Sequence, residues 1–464
     1  MFFRDYICIC IFAPAGDFRT MTNLQNTPET WDKDLVGRGA RDGARLFRDW
    51  FGELTGVAGD QGGAAYVFVM GSMNEILKSF DMPVVFPEVN ALQTAIRRTS
   101  DTYLNEAEDY GYSPDICGYV KADVAMQLRG GEHPMGTIPK PSIAVLTNAC
   151  NTYIKWAEIW ERFYDTPTVV IDIPGTRTWG DQSQPGHEDF EYEKRYVAGQ
   201  IKELIAVCEK LTGKKFDIDK FREHMSWAND LSVAYRRALE INKNSPAVFN
   251  ALTDGTIYLG MANCFRGSEE GSRYFQELVE EMAYRAQNGI GVLGRVDDRE
   301  VVLEQRYRLG FIGVPCYPIF RRFNDLFANQ GGVFVNSTYM SFAAGGADLG
   351  HVYDLEDPID ALAEGTLISV REAMDAMFHQ SRDIETVDSE YNLDGIVYHP
   401  IKSCRTVSTG MADRRHHAAE DMGLATLFME SDMMDPRVVS EAQMRNRVDA
   451  FFEGLVAREQ RGAA

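Results

Sequence analysis

A chain of 464 residues is longer than one ordinary core organises, so two α/β domains are expected. The formal charge of -22 argues against a nucleic-acid partner, although helix N-termini or a local Arg or Lys cluster could still meet an anionic ligand. Eight cysteines with no CxxC pair and no regular framework indicate a reducing, cytoplasmic compartment rather than a disulfide scaffold.

At the start of the chain Tyr6 to Phe12 is apolar, and Ala13-Pro14-Ala15 imitates a signal-peptidase site. The apolar core is short, however, and MFFRD carries no net positive charge, so translation is expected to begin at Met21, with Cys8 and Cys10 playing no part. No run of about 18 apolar residues occurs, and neither a membrane-spanning helix nor a membrane partner is expected.

Residues 1–63 read as an N-terminal extension and helical arm, with Leu46, Phe47, Trp50 and Phe51 available to dock it. A first α/β lobe is expected over 64–187, with strands at Ala65 to Met70, Pro83 to Phe86, the run ending before Cys150, and Thr168 to Ile173. Ser72 and Glu75 form an S-x-x-E pattern ahead of MNEILKSF, which predicts a capping box. Pro87-Glu88 opens a helix whose apolar face is Val89, Leu92, Ile96 and Tyr103. From about Glu188 to Asn288 the pattern is almost wholly helical, and a helical connector is expected over 188–300. A second lobe is expected over 301–464, with strands at Tyr307 to Val314, Gly332 to Asn336, Gly395 to His399 and Ala425 to Glu430, and a last helix near Val439 to Leu455. The fold class is therefore α/β, with two Rossmann-like lobes built on parallel sheets.

Several motifs fail on context. Gly289-Ile-Gly291-Val-Leu-Gly294 matches G-x-G-x-x-G but follows a helix rather than a strand, and no P-loop exists. His416-His417 reads as a solvated helix face. The segment PSIAVLTNACNTYIKWAEIW runs from a buried strand straight into an amphipathic helix, with Cys150 at the break. A thiol there faces the crevice where open α/β sheets bind ligands, though a buried, inert cysteine is the competing reading. Cys117 and Cys404 also fall at helix starts, and three such thiols from two lobes could hold a soft metal or an iron-sulfur cluster. Cys316 is positioned similarly, and spacing alone does not exclude it. Cys208 and Cys264 lie in the connector as packing residues.

The segments FDMPVVFPEVNALQTAIRR, DICGYVKADVAMQLRGG, NACNTYIKWAEIWERFYDTPTVVIDIP and GIVYHPIKSCRTVS resemble the benzoyl-CoA reductase and 2-hydroxyacyl-CoA dehydratase family. The likeness runs from about Asn74 to the C-terminus and is greatest to the larger of the two cluster-carrying, substrate-handling subunits of ATP-dependent reductases. The resemblance implies a [4Fe-4S] cluster on Cys117, Cys150 and Cys404, and does not extend that role to Cys316. It further implies a paralogous cluster-carrying subunit, separate ATP-hydrolysing activase subunits, a low-potential ferredoxin-like donor and an aromatic acyl-CoA substrate. Such an enzyme reduces the ring to a cyclic dienoyl-CoA by alternating single electrons with protons. The dehydratase members instead expel hydroxide, and a non-catalytic relay subunit is the third expectation. Glu88 could move a proton near the ring or simply stabilise the helix it starts. Ser72 could bond the thioester oxygen or the open cluster position, or cap its helix. Arg97 and Arg98 could meet CoA phosphates or form an exposed helix face.

Overall fold

Continuous runs of Val, Ile, Leu and Phe resolve into two parallel sheets, because a strand covered on both faces needs no polar alternation. The computed structural model describes residues 31–174, 184–296, 299–378 and 381–462; Cys8, Cys10 and Met21 lie outside the described residues. Helix α1 (Arg38–Gly59) leads into β1 (Gly63–Val67), α2 (Asn74–Ser79), β2 (Val84–Val85), α3 (Pro87–Ile96), α4 (Ser100–Asp109) and α5 (Gly118–Leu128). A short antiparallel pair, β3 (Glu132–His133) and β4 (Gly136–Thr137), precedes β5 (Lys140–Thr147), α6 (Asn151–Tyr164) and β6 (Thr168–Ile171). The first sheet is parallel throughout, in the order β2-β1-β5-β6.

Helices α7 (Glu188–Thr212), α8 (Ile218–Asn242), α9 (Thr253–Cys264) and α10 (Glu269–Gln287) follow. Gly289 then turns the chain in the left-handed region, toward the antiparallel hairpin β7 (Leu293–Val296) and β8 (Arg299–Val302), so the G-x-G-x-x-G match opens no helix. The second sheet comprises β9 (Tyr307–Gly313), β10 (Gly332–Ser337), β11 (Gly395–His399) and β12 (Ala425–Phe428), parallel in the order β10-β9-β11-β12. Interspersed with and following these strands are α11 (Phe320–Ala328), α12 (Tyr339–Phe342), α13 (Pro358–Phe378), α14 (Ser381–Tyr391), α15 (Arg405–Ser408), α16 (Met411–His416) and α17 (Glu441–Gly462). Each sheet therefore runs second strand, first, third, fourth. The two lobes repeat one architecture without a repeated sequence, and the order reverses beside the third strand of each.

Two expectations need correction. The Ser72–Glu75 capping box does not form: α2 starts after Met73, which sits at φ 55°, and no side chain caps it. Glu75 is buried instead against Arg266, whose Nε donates to Oε1 at 2.7 Å, and a buried carboxylate satisfied by a guanidinium is not free to cap. The helix opened by Pro87 also ends earlier than its apolar pattern, at Ile96, because Arg98 adopts φ 60°; Tyr103 belongs to α4. Arg97 and Arg98 are both exposed.

Residues of both sheets and the connector share one continuous apolar core. Helix α9 is tied to both lobes: the Asn74 side chain donates to Asn263 O at 2.8 Å, and that of Asn263 donates to Ala343 O at 2.8 Å. On the opposite flank Ser100 donates to Met434 O at 2.7 Å, while Arg437 holds Glu108 across the lobe boundary at 2.6 Å. Among the described residues no helix is long and apolar enough to cross a membrane.

Candidate functional site

Three thiols occupy the same local position, the start of a helix. Cys117, Cys150 and Cys404 are the N-cap residues of α5, α6 and α15. Cys150 follows the third strand of the first sheet, and Cys404 follows the third strand of the second. The N–H groups of the first helical turn pull each thiol's pKa down: Tyr119 and Val120 at Cys117, Thr152 and Tyr153 at Cys150, Thr406 and Val407 at Cys404. These amides are fixed positive partial charges that favour a thiolate.

The thiols also lie within electrostatic reach of one another, since Cys117 responds to both Cys404 and Cys150, and Cys404 to Cys150. Burial is the larger effect: it pushes Cys404 up to about 11, raises Cys150 and carries Cys117 well above the usual thiol range. All three remain partly exposed, whereas Cys208, Cys264 and Cys316 are buried. Cys316 begins a 3-10 turn and accepts a hydrogen bond from the Ser431 hydroxyl at 3.6 Å. It therefore shares a strand end with Cys150 and Cys404 but not their access.

Among the described residues, no three His, Cys, Asp or Glu side chains are close enough to hold one metal ion. A cluster of several irons spans more than a single ion, so spacing too wide for one ion leaves three part-exposed thiols available to such a group. The donor set is all sulfur, which suits iron-sulfur rather than hard-cation chemistry.

Glu88 stands beside this set. Following β2 at the first turn of α3, it is buried, and it accepts the Tyr153 hydroxyl at 2.6 Å and the Val69 N–H at 3.0 Å. Burial pushes its carboxyl up to about 7, against the opposing pull of those two hydrogen bonds. Its charge is felt at Cys150 and at Tyr339. Ser72 lies buried in the turn before α2, and its hydroxyl bonds neither Glu88 nor a cysteine.

Sequence reasoning missed the supports. Asp432 is buried and accepts three backbone N–H groups, from Ser403 at 2.9 Å, Met434 at 2.8 Å and Asp435 at 3.1 Å. One carboxylate thus joins the turn carrying Cys404 to the loop that packs on Cys117's helix. That loop sits so close that a Cβ on Gly118 would lie 2.6 Å from Met434 Cβ. Tyr153 was legible only as one more apolar position of α6, yet its hydroxyl fixes Glu88. Three further tyrosines, Tyr119, Tyr317 and Tyr339, bring their hydroxyls together beside the thiols, with Tyr119 and Tyr339 at 3.5 Å.

Paired parallel sheets of matching strand order, with part-exposed cysteines and a buried carboxyl at the ends of their strands and the starts of their helices, define a two-lobed α/β protein. The chain belongs to the 2-hydroxyglutaryl-CoA dehydratase, D-component family, whose model matches residues 72–455. It is 32% identical to a benzoyl-CoA reductase subunit of Thauera aromatica over 418 residues, 89% of this chain and 93% of the relative. It is 26% identical to the (R)-2-hydroxyisocaproyl-CoA dehydratase alpha subunit of Clostridioides difficile and 27% identical to the (R)-phenyllactyl-CoA dehydratase alpha subunit of Clostridium sporogenes. Each of those two alignments covers 83% of this chain and 88% of the relative.

Proposed function

We propose that this chain is the iron-sulfur subunit of an ATP-dependent aromatic acyl-CoA reductase that converts benzoyl-CoA to a cyclic dienoyl-CoA. What supports the reading is that Cys117, Cys150, Cys404 and Glu88 lie within electrostatic reach of one another at helix starts, in a chain that matches a benzoyl-CoA reductase subunit over most of its length. Bound to those three thiolates, a [4Fe-4S] cluster supplies single electrons at low potential. The chain's own residues do the rest. Helix-start amides hold the sulfurs, Asp432 fixes the turn that carries Cys404, and the buried wall of Tyr119, Tyr339 and Tyr153 keeps water from the acyl group. Glu88, with a carboxyl near neutrality, holds or delivers a proton at the ring. Ser72 is a second polar group at the same sheet end, available to the thioester.

The proposed partners are a paralogous cluster-carrying subunit, ATP-hydrolysing activase subunits and a low-potential ferredoxin-like donor. A second reading, a 2-hydroxyacyl-CoA dehydratase subunit, is supported by the two dehydratase alpha subunits that align over 83% of the chain. The assembled complex, given ATP and a strong reductant, separates the readings. Dienoyl-CoA from benzoyl-CoA supports the first. Dehydration of a 2-hydroxyacyl-CoA without ring reduction supports the second. Turnover that survives loss of this subunit's acyl-CoA contacts would make it an electron relay.

A further inference from the structure

Three tyrosines from three elements converge where the lobes meet. Tyr119 lies in the first turn of α5, Tyr317 in the 3-10 turn after β9, and Tyr339 at the start of α12 after β10. Tyr317 is 0% exposed, and Tyr119 and Tyr339 are each 8% exposed. The Tyr119 and Tyr339 hydroxyls stand 3.5 Å apart, at the limit of a hydrogen bond. The Tyr317 hydroxyl stands close to both and to Thr256, yet forms no hydrogen bond of good geometry within the protein. Folded proteins rarely leave a buried hydroxyl unsatisfied, and an orphan at a convergence of donors points to a ligand.

Location and chemistry narrow that ligand. Tyr339 lies within electrostatic reach of Glu88 and Cys404, and Tyr119 of Cys117, which puts the hydroxyls in the neighbourhood of the thiols and the carboxyl. Phenols are neutral donors, suited to an uncharged acceptor that gains negative charge, whereas phosphate and carboxylate groups are met by Arg or Lys. The ring faces supply an apolar wall for an acyl group.

We propose that Tyr119, Tyr317 and Tyr339 form a hydroxyl pocket that binds the carbonyl oxygen of an acyl thioester; the proposal deepens the acyl-CoA reading above and rests on it. The carbonyl satisfies Tyr317, and negative charge that builds on its oxygen during reduction strengthens all three hydrogen bonds.

The test compares the assembled wild-type complex with the same complex carrying Tyr317→Phe. Benzoyl-CoA labelled at the thioester carbonyl is followed by calorimetry and by the infrared band of the bound carbonyl. Tyr317→Phe is expected to raise Kd about tenfold, the equivalent of one lost hydrogen bond, and to shift the carbonyl band toward that of free benzoyl-CoA. Melting temperature should hold or rise, because the substitution removes an orphaned polar group. A merely structural hydroxyl would behave like Tyr66, which donates to Pro139 O at 2.7 Å: Tyr66→Phe should lower the melting temperature and leave Kd unchanged. If Tyr317→Phe does not fold, Tyr339→Phe carries the same expectations for Kd and band. Wild-type binding with an unaltered Kd and carbonyl band in the variant overturns the pocket alone. A wild-type complex that binds neither benzoyl-CoA nor a 2-hydroxyacyl-CoA overturns the functional reading as well.

Discussion

Replacing Asp432 tests whether one buried carboxylate holds the thiol set in shape. Asp432→Asn keeps the size of the side chain, and its remaining oxygen can still accept from Met434 and Asp435. Its amide cannot accept from Ser403, whose N–H now sits 2.9 Å from the second carboxylate oxygen. One buried donor is orphaned, at about 2 kcal/mol. Asp432→Ala orphans all three N–H groups, and with partial relaxation should destabilise by about 3–5 kcal/mol. Denaturant midpoints of the wild type and the two variants measure this ladder, with iron per chain determined on the same samples after gel filtration. Iron retention should fall in the same order, because the turn that loosens is the one carrying Cys404. Equal midpoints and equal iron in all three proteins would refute the assignment of Asp432 as the support of that turn.

Glu88→Gln should slow ring reduction by about a hundredfold or more while changing the acyl-CoA Kd little, because a proton-transfer group acts in the transition state. Turnover unchanged with only a lower melting temperature would make Glu88 a helix-stabilising residue. Glu108 should be an acid-sensitive link between the lobes: the bond from Arg437, burial notwithstanding, and the bond from Lys121 hold its carboxyl down at about 2. A carboxyl depressed in the folded state contributes stability that is present above its ordinary value of about 4.5 and is lost as pH falls toward about 2. With its side chain 17% exposed, that contribution is at most about 3 kcal/mol, and Glu108→Gln should flatten the stability profile across that window.

Much of the fold was legible because its strands are short, continuous and apolar. Gly395 to His399 is found where the pattern puts it, and β6 and β12 end two residues earlier than their apolar runs. The thiols were legible as helix starts, since a strand breaking into a 3.6-residue period leaves its N-cap visible. The relations that finish the site were not. Glu75 takes a partner 191 positions away and so leaves its capping box, and Asp432 bonds a turn 29 residues upstream. Cys316 shares the strand-end pattern of Cys404, and its complete burial, with Ser431 bonded to it from 115 positions away, leaves no mark on that pattern. The common strand order of the two sheets was equally hidden, because pairing order leaves no mark on a single strand's composition.

In the assignment proposed, Cys117, Cys150 and Cys404 hold one cluster and Cys316 does not. Iron, sulfide and visible absorption of anaerobically purified Cys-to-Ser variants measure it directly. The wild type should carry about four irons per chain. Cys117→Ser, Cys150→Ser and Cys404→Ser should each lose most of them, because an alkoxide is a poor substitute for a soft thiolate. Cys316→Ser should match the wild type. A folded wild type without iron, or a cluster lost in Cys316→Ser and retained in Cys404→Ser, would contradict that ligand assignment.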